Sequence, residues 1–375
     1  MRGQAMGQEF SDKGIDVLLG PSAGPLGRHP DGGRNWEGYS PDPVLTGVLF
    51  AESIKGIQDE GVIATAKHYL LNEQEHFRQV PEANGYGFNI SETLSSNVDE
   101  KTIHELYLWP FADAVRAGVG AVMCSYQQAN NSYGCQNSHL MNKLLKSELG
   151  YQGFVMSDWS AAHSGVGSAL AGMDMLMPGD IEFNDASTYY GTNLTIAVLN
   201  GTIPQWRVDD MAVRVMTSFY KVGRDDLYHP PNFSSWTRQE KGFEHFAVSE
   251  GEWTTVNEFV DVQRNHFSIV HRIGADSIVL LKNEGSLPLT GKERNVAILG
   301  NDAGSNPDGA NGCPDRGCIQ GTLAMGWGSG TSNFPYLITP EQTIQQEVIR
   351  KRGSVYAVTD NYALDKVNKT ASEST

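Results

Sequence analysis

The stretch Gly153-Phe154-Val155-Met156-Ser157-Asp158-Trp159 decides how this chain folds. Its apolar run is short, continuous and Gly-bounded, which reads as a strand buried on both faces. Packing does not call for a carboxylate at the C-terminal end of such a strand. The indole beside it offers a flat apolar face on which a sugar ring can lie. The same design occurs twice upstream. Gly61-Val62-Ile63-Ala64-Thr65-Ala66 ends in Lys67-His68-Tyr69, and the apolar run 119–124 ends in Ser125-Tyr126. Polar groups gathered at the C-terminal ends of successive apolar strands are how a parallel α/β barrel builds an active site. The chain therefore reads as an α/β protein with a TIM-like (β/α) barrel, and as an enzyme.

Working outward, residues 1–13 read as a helix stopped by Gly14, and 15–19 as a strand followed by a Gly/Pro-rich loop, 20–41. Asp42 as N-cap and Pro43 at the first helical position open a helix with Val44, Val48, Ala51 and Ile54 on one face. Helix 100–117 is interrupted by Pro110. Helices 137–148 and 160–172, a short strand 173–177 and helix 205–221 complete the series, the last with Val208, Met211, Ala212, Val215 and Phe219 at helical spacing. Five strands are legible where a closed barrel has about eight. The chain starts inside a helix, so the expectation is a barrel domain over residues 1–222 that is truncated at its start.

Residues 223–265 are polar and aromatic-rich with little periodicity, and read as an interdomain linker. A second alternating pattern fills 266–375. It has a helix at 266–274, strands at 277–281, 295–299 and 354–358, and a helix 340–352 opened by Thr339-Pro340. That is the first half of an α/β sandwich domain, truncated at its end. A Gly-rich loop at 326–331 lacks the spacing of a phosphate-binding loop.

Lys plus Arg number 28 against 44 for Asp plus Glu, a formal net charge of −16. This acidity argues against nucleic acid or anionic membranes as partners and favours small or neutral substrates. No apolar stretch approaches the ~20 residues of a membrane span. The opening Met1-Arg2-Gly3-Gln4-Ala5 has no apolar signal-peptide core. The four cysteines form two sequence-near pairs, Cys124 with Cys135 and Cys313 with Cys318, which suit small-loop disulfides. No histidines stand nearby at zinc-ligand spacing, so a zinc site is not expected. Asn-X-Ser/Thr acceptors occur at Asn89, Asn130, Asn193, Asn200, Asn232 and Asn368. Together with paired cysteines they point to an oxidising, secretory environment.

Each candidate group has a plain alternative. Asp158 is either the N-cap of the next helix or a carboxylate that stabilises an oxocarbenium-like transition state and forms a glycosyl ester. Lys67 and His68 are a polar pair at a strand end, or donors to sugar hydroxyls. A rival reading makes Lys67 a Schiff-base lysine of an aldolase-type barrel, which requires a desolvated amine of lowered pKa. Arg34, in the Gly-rich loop 31–37, is a solvated surface residue or a fork to two oxygens. Tyr126 orients Asp158 through its hydroxyl, or is a tyrosine at the core edge.

The stretches GPLGRHPDGGRNWEGYSPDP, ATAKHYLLNEQEHFR, AVMCSYQQANNSYGCQNS and GFVMSDWSAAHSGVGSALAGMDMLMPGD resemble the glycoside hydrolase family 3 β-glucosidases of filamentous fungi. So do NLTIAVLNGTIPQWRVDDMAVR and, later, ADSIVLLKNEGSLPLTG with LAMGWGSGT. The resemblance runs over essentially the whole chain. It implies that Asp158 is the catalytic nucleophile. Arg34, Lys67, His68 and Tyr126 would hold the glucosyl unit of the innermost subsite, which Met123 and Trp159 would line. It also implies secreted, N-glycosylated, metal-independent enzymes that release glucose from cellobiose and related β-glucosides with retention, with an oligomeric state compatible with a homodimer. By the same resemblance the family's barrel begins before Met1, and its acid/base glutamate lies beyond the point matched by Thr375. The alternative is then a catalytically silent fragment with residual sugar binding.

Overall fold

Four short strands lie side by side in one parallel sheet: β1 (Val17–Leu18), β2 (Ile63–Tyr69), β4 (Ala121–Cys124) and β7 (Phe154–Ser157), in the order β1-β2-β4-β7. The computed structural model describes residues 1–26, 31–181, 185–244 and 251–374. Met175 adds a single parallel bridge to Met156, the one trace of the strand expected at 173–177. The register aligns the strand ends. Tyr69 stands opposite Cys124, and Cys124 opposite Ser157. In a parallel sheet all C-terminal ends point one way, so whatever follows these three residues emerges on one rim.

Alternation along the strands sorts side chains onto two buried faces. Ile63, Ala121, Met123, Phe154 and Met156 face inward and pack with Val17, Leu19 and Trp159. Leu18, Ala64, Ala66, Val122, Cys124 and Val155 face outward under the helices. This two-sided burial is why the strands read as unbroken apolar runs.

The helices in chain order are α1 (Arg2–Asp12), α2 (Pro43–Gln58), α3 (Glu100–Thr102), α4 (Trp109–Arg116), α5 (Val166–Ala171), α6 (Thr192–Leu199) and α7 (Gln205–Lys221). Asp42 caps α2 as its sequence indicates, accepting from the Val44 and Leu45 amides. The buried face of α2 is not the expected one. Thr46, Gly47, Phe50, Ile54 and Ile57 point into the core, and Val44 and Val48 are exposed. Phe50 is decisive, because its ring meets Phe111 of α4 edge-on at 5.8 Å, and Phe111 in turn meets Tyr69 at 5.0 Å. Pro110 does not break the helical segment so much as begin α4, after a wider π-type turn at Ile103–Tyr107. The helix expected over 160–172 is only the six residues of α5, and α6 escaped the sequence reading.

Asp174 is the electrostatic anchor of the sheet. Its side chain is 0% exposed and takes Lys146 Nζ at 2.9 Å and Arg207 NH2 at 2.6 Å on Oδ1. The Val155 amide donates to Oδ2 at 2.8 Å. One carboxylate thus ties β7 to the helix His139–Glu148 and to α7. Burial holds the Lys146 amine down to about 8, with Asp174 opposing.

Short strands outside the main sheet are β3 (Ser95–Ser96), β5 (Gln128–Ala129) and β6 (Ser132–Tyr133), which form their own three-stranded ladder. Within residues 223–265, β8 (Lys241–Phe243) and β9 (Trp253–Thr255) pair antiparallel. The Asn232 amide donates to the Asp12 carbonyl at 2.7 Å, and Arg264 meets Asp12 at 2.6 Å. By backbone proximity the first compact unit extends over Met1–Ile273.

The second unit, Gly274–Thr375, holds β10 (Asn295–Leu299) and β11 (Ser354–Val358) in parallel register. Helix α8 (Phe267–Asp276) runs across its first residues, and α9 (Pro340–Arg350) and α10 (Leu364–Ser372) lie within it. Thr339 and Gln342 form a reciprocal capping box at the start of α9. Residues 277–281, expected as a strand, are not one: their backbone joins no ladder among the described residues, and Leu281 is 92% exposed. The run has strand composition without a neighbour to pair with, and an apolar strand without a sheet has nothing to hold its geometry.

Both cysteine pairs are disulfides, Cys124–Cys135 and Cys313–Cys318. Among the described residues no helix is long and apolar enough to cross a membrane. Replacing Asp174 by Ala leaves Lys146 and Arg207 buried without their shared counter-charge. The expected cost is about 3–5 kcal/mol of stability, read as a fall in the urea midpoint of the chain. A midpoint within error of the unmodified chain would contradict the anchoring role.

Candidate active site

The rim formed by β2, β4 and β7 gathers the residues that the sequence singled out. Lys67 and His68 close β2, Tyr126 stands two residues past β4, and Asp158 and Trp159 follow β7. Backbone bonds fix these ends to each other. Ser125 N donates to Tyr69 O at 2.8 Å and Asp158 N to Cys124 O at 3.2 Å. Arg34 comes from the loop after β1, where a 3-10 turn spans Asn35–Glu37.

Asp158 is buried. Its Oδ1 accepts the Trp159 amide at 2.8 Å, and its Oδ2 lies 3.5 Å from His68 Nε2. Oδ2 has no hydrogen bond of normal geometry. Burial pushes the Asp158 carboxyl above its ordinary range; the Trp159 amide, Lys67, Tyr126 and Arg78 oppose that shift. The Asp158 side chain does not cap α5, which begins at Val166, so the N-cap alternative falls.

His68 is held far below its usual pKa by burial and by Lys67, Arg34 and Arg78. It therefore sits beside Asp158 as a neutral imidazole rather than as an ion-pair partner. Burial raises Tyr126, with the Asp158 charge acting in the same direction, so the phenol keeps its proton as a donor. Lys67 is lowered by burial, with Glu37 the main opposing charge. This desolvation was not foreseen from sequence, and it is one condition of the Schiff-base reading.

Three residues that the sequence reading left without a role complete the cluster. Glu37 receives Arg34 in a fork, Nε to Oε1 at 2.8 Å and NH2 to Oε2 at 2.7 Å, and its Oε2 is 3.8 Å from Lys67 Nζ. Glu75 takes Arg78 NH1 on Oε2 at 2.8 Å and stands 3.9 Å from Arg34 NH1. Burial raises the Glu75 carboxyl against the pull of Arg78 and Arg34. The Arg78 guanidinium lies 4.5 Å over the Tyr126 ring. A concave pocket opens beside them, lined by Ser22, Arg34, His68, Asn72 and Glu75 among others. The three-residue spacing of Arg34/Glu37 and Glu75/Arg78 is the only local signal available, and the sequence reading did not take it up; that the two pairs meet is a tertiary fact.

Trp159 packs partly buried against the inward face of the sheet. Met123 is 1% exposed and belongs to that same inward core, beneath the rim. The loop after Asp158 is braced from the side. His163 stacks on Tyr133 at 3.8 Å, Ser164 Oγ bonds Gln136 Oε1 at 3.0 Å, and Cys135 beside them is covalently joined to β4. No group of three or more potential metal ligands occurs among the described residues.

The N-terminal domain of glycosyl hydrolase family 3 matches residues 1–218, and the family's C-terminal domain matches 278–374. The chain belongs to glycosyl hydrolase family 3. It is 82% identical over 375 residues to a probable β-glucosidase A of Emericella nidulans and 75% identical over 373 to β-glucosidase 1 of Aspergillus aculeatus. All of this chain is covered, but only 44% and 43% of those relatives. Among solved structures it is similar to a family 3 β-glucosidase of Neurospora crassa, with TM-score 0.92 and 58% identity over 99% of this chain and 44% of that one. It is also similar to β-glucosidase 3B of Thermotoga neapolitana in complex with α-D-glucose, with TM-score 0.68 and 26% identity over 98% of this chain and 43% of that one. The chain thus spans less than half the length of these relatives. Family membership, with Glu37 beside the amine, removes the ground for the aldolase reading of Lys67.

Glu37→Gln tests the family 3 cluster directly. It removes the main charge that opposes the depression of Lys67, so the Lys67 pKa is expected to fall further. The pH dependence of reductive methylation at Lys67, followed by mass spectrometry, measures this. An unchanged or raised value would show that Glu37 does not act on Lys67.

Proposed function

We propose that this chain carries the glucosyl-binding half of a retaining β-glucosidase site that acts on the terminal non-reducing glucosyl unit of cellobiose and related β-glucosides. The observation that carries the reading is the buried Asp158 Oδ2, without a hydrogen bond of normal geometry and 3.5 Å from the neutral His68 Nε2. A free carboxylate oxygen at the rim of a barrel sheet is placed to attack an anomeric carbon and form a glycosyl ester. Arg34, Lys67, His68 and Tyr126 supply hydrogen-bond donors to sugar hydroxyls. Arg78 joins them through its stack on Tyr126. Trp159 offers a ring face, and Met123 lies in the core beneath the rim. A site built from donors rejects analogues that lack the hydroxyls they serve. The glucose complex of the Thermotoga relative supports glucose as the occupant.

Protonation of the leaving group needs a second carboxyl. Glu37 and Glu75 are both held by arginines, which suits anchoring rather than proton delivery. The acid is therefore not assigned to either. Two disulfides together with exposed acceptors at Asn89, Asn130, Asn193, Asn200 and Asn368 support secretion and N-glycosylation. Asn232 is half-buried where the other five are exposed, and is the least suited acceptor.

The test uses 2,4-dinitrophenyl 2-deoxy-2-fluoro-β-glucoside, whose leaving group needs no protonation. The label is expected on Asp158, and Asp158→Asn is expected to prevent it. Labelling requires the ionised carboxylate, so its rate falls as pH drops through the Asp158 pKa. With that pKa raised, the fall occurs at higher pH than for an ordinary aspartate. Cellobiose, whose leaving group does need a positioned acid worth ~10²–10⁴-fold, is expected to react far more slowly. A label on another carboxylate would overturn the assignment.

A further inference from the structure

The run Ser277-Ile278-Val279-Leu280-Leu281 has the composition of a buried strand and the exposure of a surface loop. Ile278 is 79% exposed, Val279 74%, Leu280 60% and Leu281 92%. Among the described residues the backbone of 279–282 makes no hydrogen bond to other backbone. One short segment thus presents four adjacent aliphatic side chains together with a row of main-chain donors and acceptors. A strand edge with both features is a template for pairing with another chain.

The charges at its ends say which chain. Asp276 precedes the run and Lys282 follows it, both are exposed, and no charged residue lies between them. In an antiparallel pair of two copies centred on Val279, Val279 stands opposite its own copy. Ile278 then stands opposite Leu280, Ser277 opposite Leu281, and Asp276 opposite Lys282, each twice over by symmetry. Ile278 and Leu280 of both copies share one face, and Val279 and Leu281 the other. A parallel in-register pair would instead set Asp276 against Asp276 and Lys282 against Lys282, and like charges directly opposite are destabilising. A second copy supplies the complementary charge order automatically, because a two-fold antiparallel contact meets the same sequence reversed. Such a contact uses one patch on both copies and closes at two. Lys282 also meets Glu284 at 2.9 Å, with side chains 80% and 77% exposed. An exposed pair of that kind holds Lys282 only weakly. Charges are screened beyond about 8 Å at physiological salt, so the net charge of −16 on each chain does little to keep two copies apart.

We propose that residues 277–281 form a homodimerisation edge, through which two copies of this chain pair antiparallel about Val279 with an Asp276–Lys282 ion pair at either end. The edge belongs to the second unit and is separate from the rim that carries Asp158.

The experiment is sedimentation velocity of the full chain, made in an oxidising compartment, at ~0.15 M salt and rising protein concentration. A species of twice 41.0 kDa is expected to grow in with concentration. Lys282→Asp places like charges opposite each other at both ends and is expected to raise the dimer Kd by at least about fivefold. Adding Asp276→Lys to that variant restores the pairing with its signs exchanged, and is expected to recover the dimer. Register is read by cross-linking, because the four native cysteines are already paired. Val279→Cys, self-opposed across the two-fold, is expected to give a disulfide-linked dimer on a non-reducing gel. Ile278→Cys, displaced from its own copy, is expected to give far less. A chain that stays monomeric at every concentration overturns the edge, as do open-ended aggregates in place of a dimer. A dimer that ignores Lys282→Asp, that the charge exchange does not restore, or that cross-links equally through Ile278→Cys also overturns it.

Discussion

The pairing of three parallel strand ends, with the register of β2 shifted between Ala66 and Tyr69, is the constraint on which the site depends. Adjacent strands lie about 4.8 Å apart, and Tyr69, Cys124 and Ser157 stand in one row across them. His68, Tyr126 and Asp158 are each within two residues of that row, so they must meet. A shift of one residue in any strand would exchange its inward and outward faces. It would turn Met123 or Met156 under the helices and Asp158 away from His68. Register is held by the two-sided core and, at β7, by the Asp174 carboxylate with Lys146, Arg207 and the Val155 amide.

The same burial that makes the strands apolar sets the electrostatics of the rim. Asp158 and Glu75 are raised, and Lys67 and His68 lowered, in each case with desolvation as the leading cause. Arg34 is fixed by Glu37 and Arg78 by Glu75, leaving a neutral imidazole and a protonated phenol beside the carboxylate. Groups pulled away from their ordinary titration ranges in a cleft are a mark of chemistry rather than of packing. The disulfide Cys124–Cys135 and the Tyr133–His163 stack then brace the loops that carry Tyr126 and Trp159.

The two units differ in how well their apolar segments are used. In the main parallel sheet of the first unit nearly every apolar strand position is buried, whereas Phe243 and Trp253 of the β8–β9 pair are exposed. In the second, β10 and β11 pair with each other, while the run 277–281 lies open with strand-forming residues and no ladder. Composition alone cannot tell these cases apart, because a strand is stabilised across its backbone by a neighbour and not along its own sequence.

Much of the architecture was legible in the residues themselves. Continuous apolar runs ending in Lys67-His68, Ser125-Tyr126 and Ser157-Asp158-Trp159 located three strands and their functional ends. Asp42-Pro43 and Thr339-Pro340 located two helix starts, because caps and strand composition are local. The cysteine pairing was legible for the same reason, each partner being close in the chain. What only the tertiary structure decided was long-range. The buried face of α2 was settled by the ring of Phe111 and not by its own periodicity. Helix α6 and the β3–β5–β6 ladder gave no strong local signal. Glu37, Glu75 and Arg78 entered the site because folding brings two separate loops to one rim. Sequence determines which residues prefer which local geometry; burial and charge pairing between distant segments, which exist only once the chain has closed on itself, decide what those residues do.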